Sequence, residues 1–268
     1  MARKKNPESY DYWIIGAAFV GALVLTMVAR GSRLSAGGLS SSSSHDPTAN
    51  QSPINNEVVG PEDGQPIDWP SARVLLIGDS LATPIGLGDR LKRSIEQRGG
   101  TFRNVAIGGT NILEWSNSKL INKHDAGRTL EAALADFRPT LVLISLGTND
   151  EASRSYKGDP RWFTEENLAN GSVGPKLSVA KQRAPDVARL ERKLSGIHRI
   201  WIGPPAAHPD KWPMEPAFRE LLAESSRPYY FDTEVIAPQK ASDKIHCSGS
   251  GYSIWADNIM QYLERVRF

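Results

Sequence analysis

Short apolar runs alternate with longer amphipathic stretches along the chain from Arg73 onward. Runs of this length that are rich in Val, Leu and Ile are typical of buried parallel strands. We predict five of them: RVLLIG (73–78), FRNVAIGG (102–109), TLVLISLG (140–147), HRIWIGPP (198–205) and PYYFDT (228–233).

Helical patterns fill the intervals, over residues 87–99, 126–137, 176–194, 214–225 and 251–266. Pro185 marks a break or a fresh start in the third of these helices. The polar stretch 151–175 is too long for a simple connection, so we expect it to be functional or mobile. Strands and helices that alternate about five times predict an α/β fold, a doubly wound parallel sheet with helices on both faces.

The N-terminal end has a different pattern. Residues 13–29, WIIGAAFVGALVLTMVA, carry no charge and as a helix would span about 26 Å, close to the ~30 Å of a bilayer core. Aromatic residues at its start resemble interfacial anchors, so we predict a transmembrane segment. A cleaved signal peptide is the alternative. Three basic residues precede the segment and two follow it, which favours an N-terminus inside and the bulk of the chain outside.

Composition divides the chain into four parts. Residues 1–12 form the cytoplasmic N-terminus, and residues 13–29 form the anchor. Residues 30–71 are rich in Ser, Gly and Pro and predict a flexible tether, which leads into a single domain over residues 72–268. The predicted location is therefore the outer side of the cytoplasmic membrane, periplasmic or extracellular.

Charge and cysteine content exclude several classes of function. The formal net charge is +2 and there is no long Lys/Arg block, so we expect no nucleic-acid partner. The single cysteine, Cys247, excludes an intramolecular disulfide and a multi-cysteine zinc site. A free cysteine of this kind is more often a buried small hydrophobe than a nucleophile.

Ligands of a doubly wound sheet bind beyond the carboxyl ends of its strands, and polar residues cluster there in this chain. Ser80 follows the first strand, and an Asp/His pair, Asp243 and His246, precedes the last helix. A serine hydroxyl needs an adjacent general base to act as a nucleophile, and a histidine suits that role. A carboxylate three residues earlier could orient the imidazole and stabilise its cation.

Acyl transfer also needs hydrogen-bond donors for the oxyanion of the tetrahedral intermediate. The candidates are the backbone N–H groups of Ser80 and Gly109 and the side-chain amide of Asn149. Asn149 could instead cap the helix that follows it. We interpret its neighbour Asp150 as structural and Asp79 as a residue that stabilises the turn before Ser80.

Four motifs in this order resemble the SGNH, or GDSL-type, hydrolases: GDS (78–80), a Gly in NVAIGGT (104–110), GTND (147–150) and DxxH (243–246). WIGPP (201–205) is similar to a strand end of the same family, and the resemblance covers about residues 73–268. The G-x-S-x-G elbow of the larger α/β-hydrolases is absent.

The resemblance implies a flavodoxin-like three-layer α/β/α fold and ester hydrolysis without a metal or an organic cofactor. It assigns Ser80 as nucleophile and oxyanion donor, Gly109 and Asn149 as further oxyanion donors, His246 as the base and Asp243 as its partner. The doubled Gly108-Gly109 leaves the second motif open by one residue.

These patterns together predict a membrane-anchored serine esterase. Its expected substrates are O-acyl esters, with short chains such as acetyl, on envelope or extracellular carbohydrate. An O-acyltransferase or a lipase or lysophospholipase of the same fold is the alternative among enzymes. A catalytically inactive anchored module that binds carbohydrate or protein is the alternative from another class.

Overall fold

The computed structural model describes residues 58–117, 129–152, 179–205, 215–236 and 238–268. Within them, five strands form one parallel sheet in the order β2-β1-β3-β4-β5. The strands are β1 (Arg73–Gly78), β2 (Thr101–Asn104), β3 (Leu141–Ser145), β4 (His198–Ile202) and β5 (Tyr230–Phe231).

Helices cover both faces of this sheet. They are α1 (Asp89–Gln97), α2 (Ile112–Ser116), α3 (Leu130–Phe137), α4 (Thr148–Ala152), α5 (Val179–Lys193), α6 (Pro216–Ser226) and α7 (Gly249–Arg265). Alternate residues of β1 face opposite sides: Val74 and Leu76 pack with α1 and α7, whereas Leu75 and Ile77 pack with α2, α3, α5 and α6. The sheet order is that of the flavodoxin-like fold, so the predicted doubly wound parallel sheet is confirmed.

The register between β1 and β3 determines which residues lie side by side at the carboxyl edge of the sheet. Gly78, the last residue of β1, pairs with Ser145, the last of β3. A Cβ at Gly78 would lie 2.5 Å from the Ala82 Cβ and 2.7 Å from the Ser145 carbonyl oxygen, so only glycine fits between these groups. The residues that follow the two strands therefore emerge side by side.

The structure corrects the expectation at Pro185. Helix α5 continues without a break from Val179 to Lys193 with Pro185 inside it. A proline there removes one helical hydrogen bond, but Val187 and Leu190 in the following turn are fully buried among the residues of α2, α3 and α6. Burial of that face keeps the two halves in one helix.

Other boundaries differ by a few residues. The second and fifth strands are shorter than their apolar runs, although the N–H groups of Val105 and Ile107 still donate to β1 after the second strand ends. Helix α3 begins at Leu130, where the Thr129 hydroxyl accepts a hydrogen bond from the Ala132 N–H.

The end of the predicted tether lies against the chain terminus. Val59 and Gln65 exchange backbone hydrogen bonds of 2.7–3.1 Å with residues 265–268. The apolar segment 13–29 and all but the first two residues of the polar stretch 151–175 lie outside the described residues. Of the helices in the described part, none is long and apolar enough to cross a membrane.

Candidate active site

Ser80, His246 and Asp243 form a chain of hydrogen bonds at the carboxyl edge of the sheet. Ser80 follows β1 and opens a short 3-10 turn, and the other two residues lie in the loop before α7. The Ser80 Oγ is 3.0 Å from His246 Nε2, and His246 Nδ1 is 2.7 Å from Asp243 Oδ2. The structure thus joins side chains that lie as far as 166 positions apart in the sequence.

The histidine loop, Gln239–Ser248, is a hairpin that carries the Asp/His pair. Backbone hydrogen bonds of 2.8 and 2.9 Å join its two arms. The side chains of Asp243 and His246 are 44% and 40% exposed. This part of the site is therefore local in sequence and open to water.

Asp243 uses its two oxygens differently. Oδ1 accepts hydrogen bonds from the backbone N–H groups of Ile245 (2.9 Å) and His246 (3.0 Å), which leaves Oδ2 for the imidazole. Partial burial raises the pKa of Asp243, but the hydrogen bonds from the His246 ring and the two N–H groups outweigh it and hold the pKa below its usual value. An ionised carboxylate therefore faces the ring.

Lys240 contacts the histidine loop from within the hairpin. Its Nζ donates a 3.1 Å hydrogen bond to the carbonyl oxygen of Ile245, between the two members of the Asp/His pair. Burial lowers the pKa of Lys240, and the groups of Cys247, Asp243 and Asp79 oppose that shift. Cys247 itself is buried, and burial raises the pKa of its thiol, which fits the small-hydrophobe interpretation.

Asp79 is buried directly before Ser80. Its Oδ1 accepts a 3.0 Å hydrogen bond from the Leu81 N–H and so caps the turn that begins with Ser80. Its Oδ2 has no hydrogen-bond partner among the described residues. Burial raises the pKa of Asp79 to about 7, against the effect of the Leu81 hydrogen bond, and the charge of Asp150 adds to the rise.

The glycine pair after β2 lies beside the serine. A Cβ at Gly108 would lie 3.7 Å from the Ser80 Cβ, so a side chain there would stand over the hydroxyl-bearing residue. Gly109 has a φ of +79°, which favours glycine, and open space where a Cβ would be. The backbone N–H groups of Ser80 and Gly109 make no hydrogen bond to any other described residue, as an oxyanion donor requires.

Asn149 and Asp150 connect the end of β3 to the end of β2. The Asn149 amide donates a 2.8 Å hydrogen bond to the carbonyl oxygen of Thr110, which uses one of its two N–H groups. Asp150 accepts a 3.1 Å hydrogen bond from the Ile112 N–H and a 2.6 Å hydrogen bond from Arg183 Nε. The sequence pattern predicts a structural role for Asp150. It gives no signal for Arg183, which is one of several basic residues in α5.

The described residues contain no group of three His, Cys, Asp or Glu side chains that could hold a metal ion. His208 and residues 153–163 lie outside the described residues. His198 stacks on Phe268 with ring centroids 4.1 Å apart. It begins β4, whereas Ser80 follows the carboxyl end of β1, so the two lie at opposite ends of the parallel strands.

The fold of this chain is similar to those of solved esterases. One is an esterase from Pseudoalteromonas sp., with 18% identity, a TM-score of 0.47 and coverage of 73% of this chain and 98% of that one. Another is an acetyl xylan esterase from Geobacillus stearothermophilus, with 16% identity, a TM-score of 0.47 and coverage of 74% and 96%.

A third is described as an SGNH-hydrolase family esterase. It has 17% identity, a TM-score of 0.40 and coverage of 71% of this chain and 93% of its own. No protein-family model and no curated sequence matches the chain.

Proposed function

We propose that this protein is a serine ester hydrolase. The observation that carries the proposal is the pair of hydrogen bonds from Ser80 Oγ to His246 Nε2 (3.0 Å) and from His246 Nδ1 to Asp243 Oδ2 (2.7 Å). A hydroxyl, a base and a carboxylate in this order are what nucleophilic acyl transfer needs.

In the proposed reaction, Ser80 Oγ attacks the carbonyl carbon of the ester while His246 Nε2 takes the hydroxyl proton. The ester C–O bond then breaks, and the alcohol leaves with the proton from His246. Water attacks the acyl-enzyme, gives a proton to the same nitrogen, and the carboxylic acid departs as Ser80 regains its proton. Asp243 holds the imidazole with Nε2 free to accept and stabilises the imidazolium.

Charge on the carbonyl oxygen would be stabilised by the donors beside the serine. The N–H groups of Ser80 and Gly109 and the second N–H of the Asn149 amide are the proposed set. Loss of a single such donor typically costs about 10²–10³ in kcat. No step of this reaction calls on a cofactor.

The test uses the full chain and p-nitrophenyl esters of graded acyl length. Ser80→Ala should abolish turnover and prevent labelling by a fluorophosphonate, whereas Ser71→Ala, an exposed serine at the other end of β1, should keep both. Mass analysis of the labelled protein should find the adduct on Ser80. Turnover that survives in Ser80→Ala would exclude this nucleophile, and a wild type without turnover or labelling would favour the binding module.

The proposed substrates are short-chain O-acyl esters, such as acetyl esters, of envelope or extracellular carbohydrate. Support comes from the exposure of the Asp/His pair and of the Gly108-Gly109 backbone, which leaves room for a large alcohol beside the serine. The preference should appear as faster turnover of acetyl than of octanoyl p-nitrophenyl esters, and release of acetate from acetylated polysaccharide. A preference for long acyl chains would favour the lipase alternative.

Residues 13–29 are proposed to anchor this domain on the outer side of the cytoplasmic membrane. The absence of charge over 17 residues supports the anchor, and the basic residues before it support the orientation. The full chain should stay with membranes after alkaline extraction, and a variant that lacks residues 13–29 should not. A shortened wild-type protein released from the membrane would show cleavage instead.

A further inference from the structure

Two neighbouring residues after β3 bind two backbone groups after β2. Asn149 Nδ2 donates to the carbonyl oxygen of Thr110 (2.8 Å), and Asp150 Oδ2 accepts from the N–H of Ile112 (3.1 Å). Thr110 follows Gly109 directly, so both bonds lie next to the proposed oxyanion donors. The two bonds link the loop that carries the Gly109 N–H to the turn that carries the Asn149 amide.

The Asp150 bond depends on a carboxylate with no exposed side-chain surface. Burial raises the pKa of Asp150 to about 6, and the nearby Arg183 charge and the Ile112 N–H act against the rise. A buried carboxyl group stays charged only when it is paired and hydrogen-bonded. An ionised carboxylate is the stronger acceptor for the Ile112 N–H. The strength of this hydrogen bond therefore depends on a cationic partner that keeps Asp150 ionised.

Arg183 supplies it from a different layer of the protein. Its Nε is 2.6 Å from Asp150 Oδ1, and its side chain is only 15% exposed. Its Nη1 is 3.5 Å from Asp186 Oδ2, one turn further along α5, which orients the guanidinium. Among the described residues, helix α5 thus contacts α4, which follows β3, through this charged hydrogen bond.

We propose that Arg183 is a positioning residue of the oxyanion site. By holding Asp150 as a carboxylate against the Ile112 N–H, it sets the spacing between the loops that carry Gly109 and Asn149. The inference rests on the proposed function and adds to it a residue that makes no described contact with Ser80, His246 or Asp243.

A matched control lies on the same helix. Arg189 also binds Asp186 (3.1 Å), and it donates a 3.1 Å hydrogen bond to Ser116 at the end of α2. In the described contacts it does not reach Asp150. We therefore expect removal of Arg189 to perturb the same charge network while the Asp150–Ile112 hydrogen bond stays in place.

The experiment compares full-length Arg183→Met, Arg183→Lys and Arg189→Met with the wild type. Arg183→Met should lower kcat for p-nitrophenyl acetate about 10–100-fold, less than the ~10²–10³ for loss of a donor, with KM within about twofold. Inhibition by an aryl boronic acid, whose adduct on Ser80 places an oxygen among the same donors, should weaken by a similar factor. Arg183→Lys should recover part of both losses, because it keeps the charge without the planar fork. Arg189→Met should change neither by more than about twofold.

A purely structural role predicts a lower melting temperature for Arg183→Met with wild-type kcat and boronate affinity, and that result overturns the inference. If Arg183→Met does not fold, the double variant Asp150→Asn/Arg183→Met removes both buried charges. Its kcat and boronate affinity should fall as in the single variant, and wild-type values would again overturn the inference. A wild type that is neither active nor labelled at Ser80 contradicts the proposed function itself, which separates the two failures.

Discussion

Asp243 in the histidine loop and Asp79 at the end of β1 belong to the same site, yet their surroundings act on them in opposite directions. The Asp243 side chain is 44% exposed, and hydrogen bonds from His246 and the backbone lower its pKa against the effect of partial burial. The Asp79 residue is 1% exposed, and burial raises its pKa to about 7. The surroundings of Asp243 therefore favour its ionised form, and those of Asp79 favour its protonated form.

The same contrast separates the two regions that carry these residues. The histidine loop is built from contacts within ten residues and faces water. The strand ends, at residues 79–80, 108–112 and 148–150, are held by buried groups from distant parts of the chain, such as Asp150 and Arg183. Water screens the interactions of the first region, so they contribute little to stability. At the strand ends, loss of one partner would leave a buried charge unpaired, so these interactions affect both the stability and the geometry of the site.

Of the two variants that test this contrast, Asp243→Asn should give the larger effect, and it tests the histidine loop. Asn Oδ1 can keep the two backbone hydrogen bonds, but its amide then faces His246 Nδ1 and favours the tautomer in which Nε2 carries the proton. We expect kcat to fall about 10³–10⁴-fold. The free energy of unfolding should change by less than about 1 kcal/mol, because the pair is exposed.

Steady-state kinetics and urea unfolding of the same preparations check this prediction. Asp243→Ala is the matched control, since it also removes the backbone hydrogen bonds and should be the less stable of the two variants. If Asp243→Asn unfolded several kcal/mol more easily than the wild type, the contrast between the two regions would be wrong.

Asp79→Asn should give a smaller effect, on stability, and tests the strand ends. Between pH 4 and 7 the Asp79 carboxyl is ionised in the unfolded chain but largely protonated in the folded one, because its pKa rises from 3.8 to about 7 on folding. The folded state then binds more protons, so its stability falls as pH rises through this window. Asn cannot titrate, and it keeps an acceptor for the Leu81 N–H.

Urea unfolding at pH 5 and at pH 7.5 measures this difference. The wild type should lose on the order of 2 kcal/mol relative to Asp79→Asn between the two conditions. If the free energies of unfolding of the two proteins changed equally between these pH values, Asp79 would not be desolvated. The distinction between Asp79 and Asp243 would then be wrong.

The apolar runs were sufficient to predict the five parallel strands, because buried strands are apolar on both faces. They were not sufficient to locate the strand ends: the β5 ladder spans only Tyr230–Phe231 because pairing depends on the neighbouring strand. The expectation of a break or a fresh start at Pro185 is wrong for a related reason. A local rule predicts a break, whereas burial of Val187 and Leu190 keeps α5 continuous.

The candidate site divides in the same way. The sequence by itself determined the residue types and the three-residue spacing of Asp243 and His246, which is short enough for the carboxylate to reach the imidazole. Only the tertiary structure decided that Ser80 lies 3.0 Å from His246, that Asp79 is buried and that Arg183 meets Asp150. Hydrophobic periodicity predicts which side chains are buried, but not which groups they contact in the interior. In the interior, desolvation disfavours the charged form of a carboxyl group, so its contacts determine whether it is ionised.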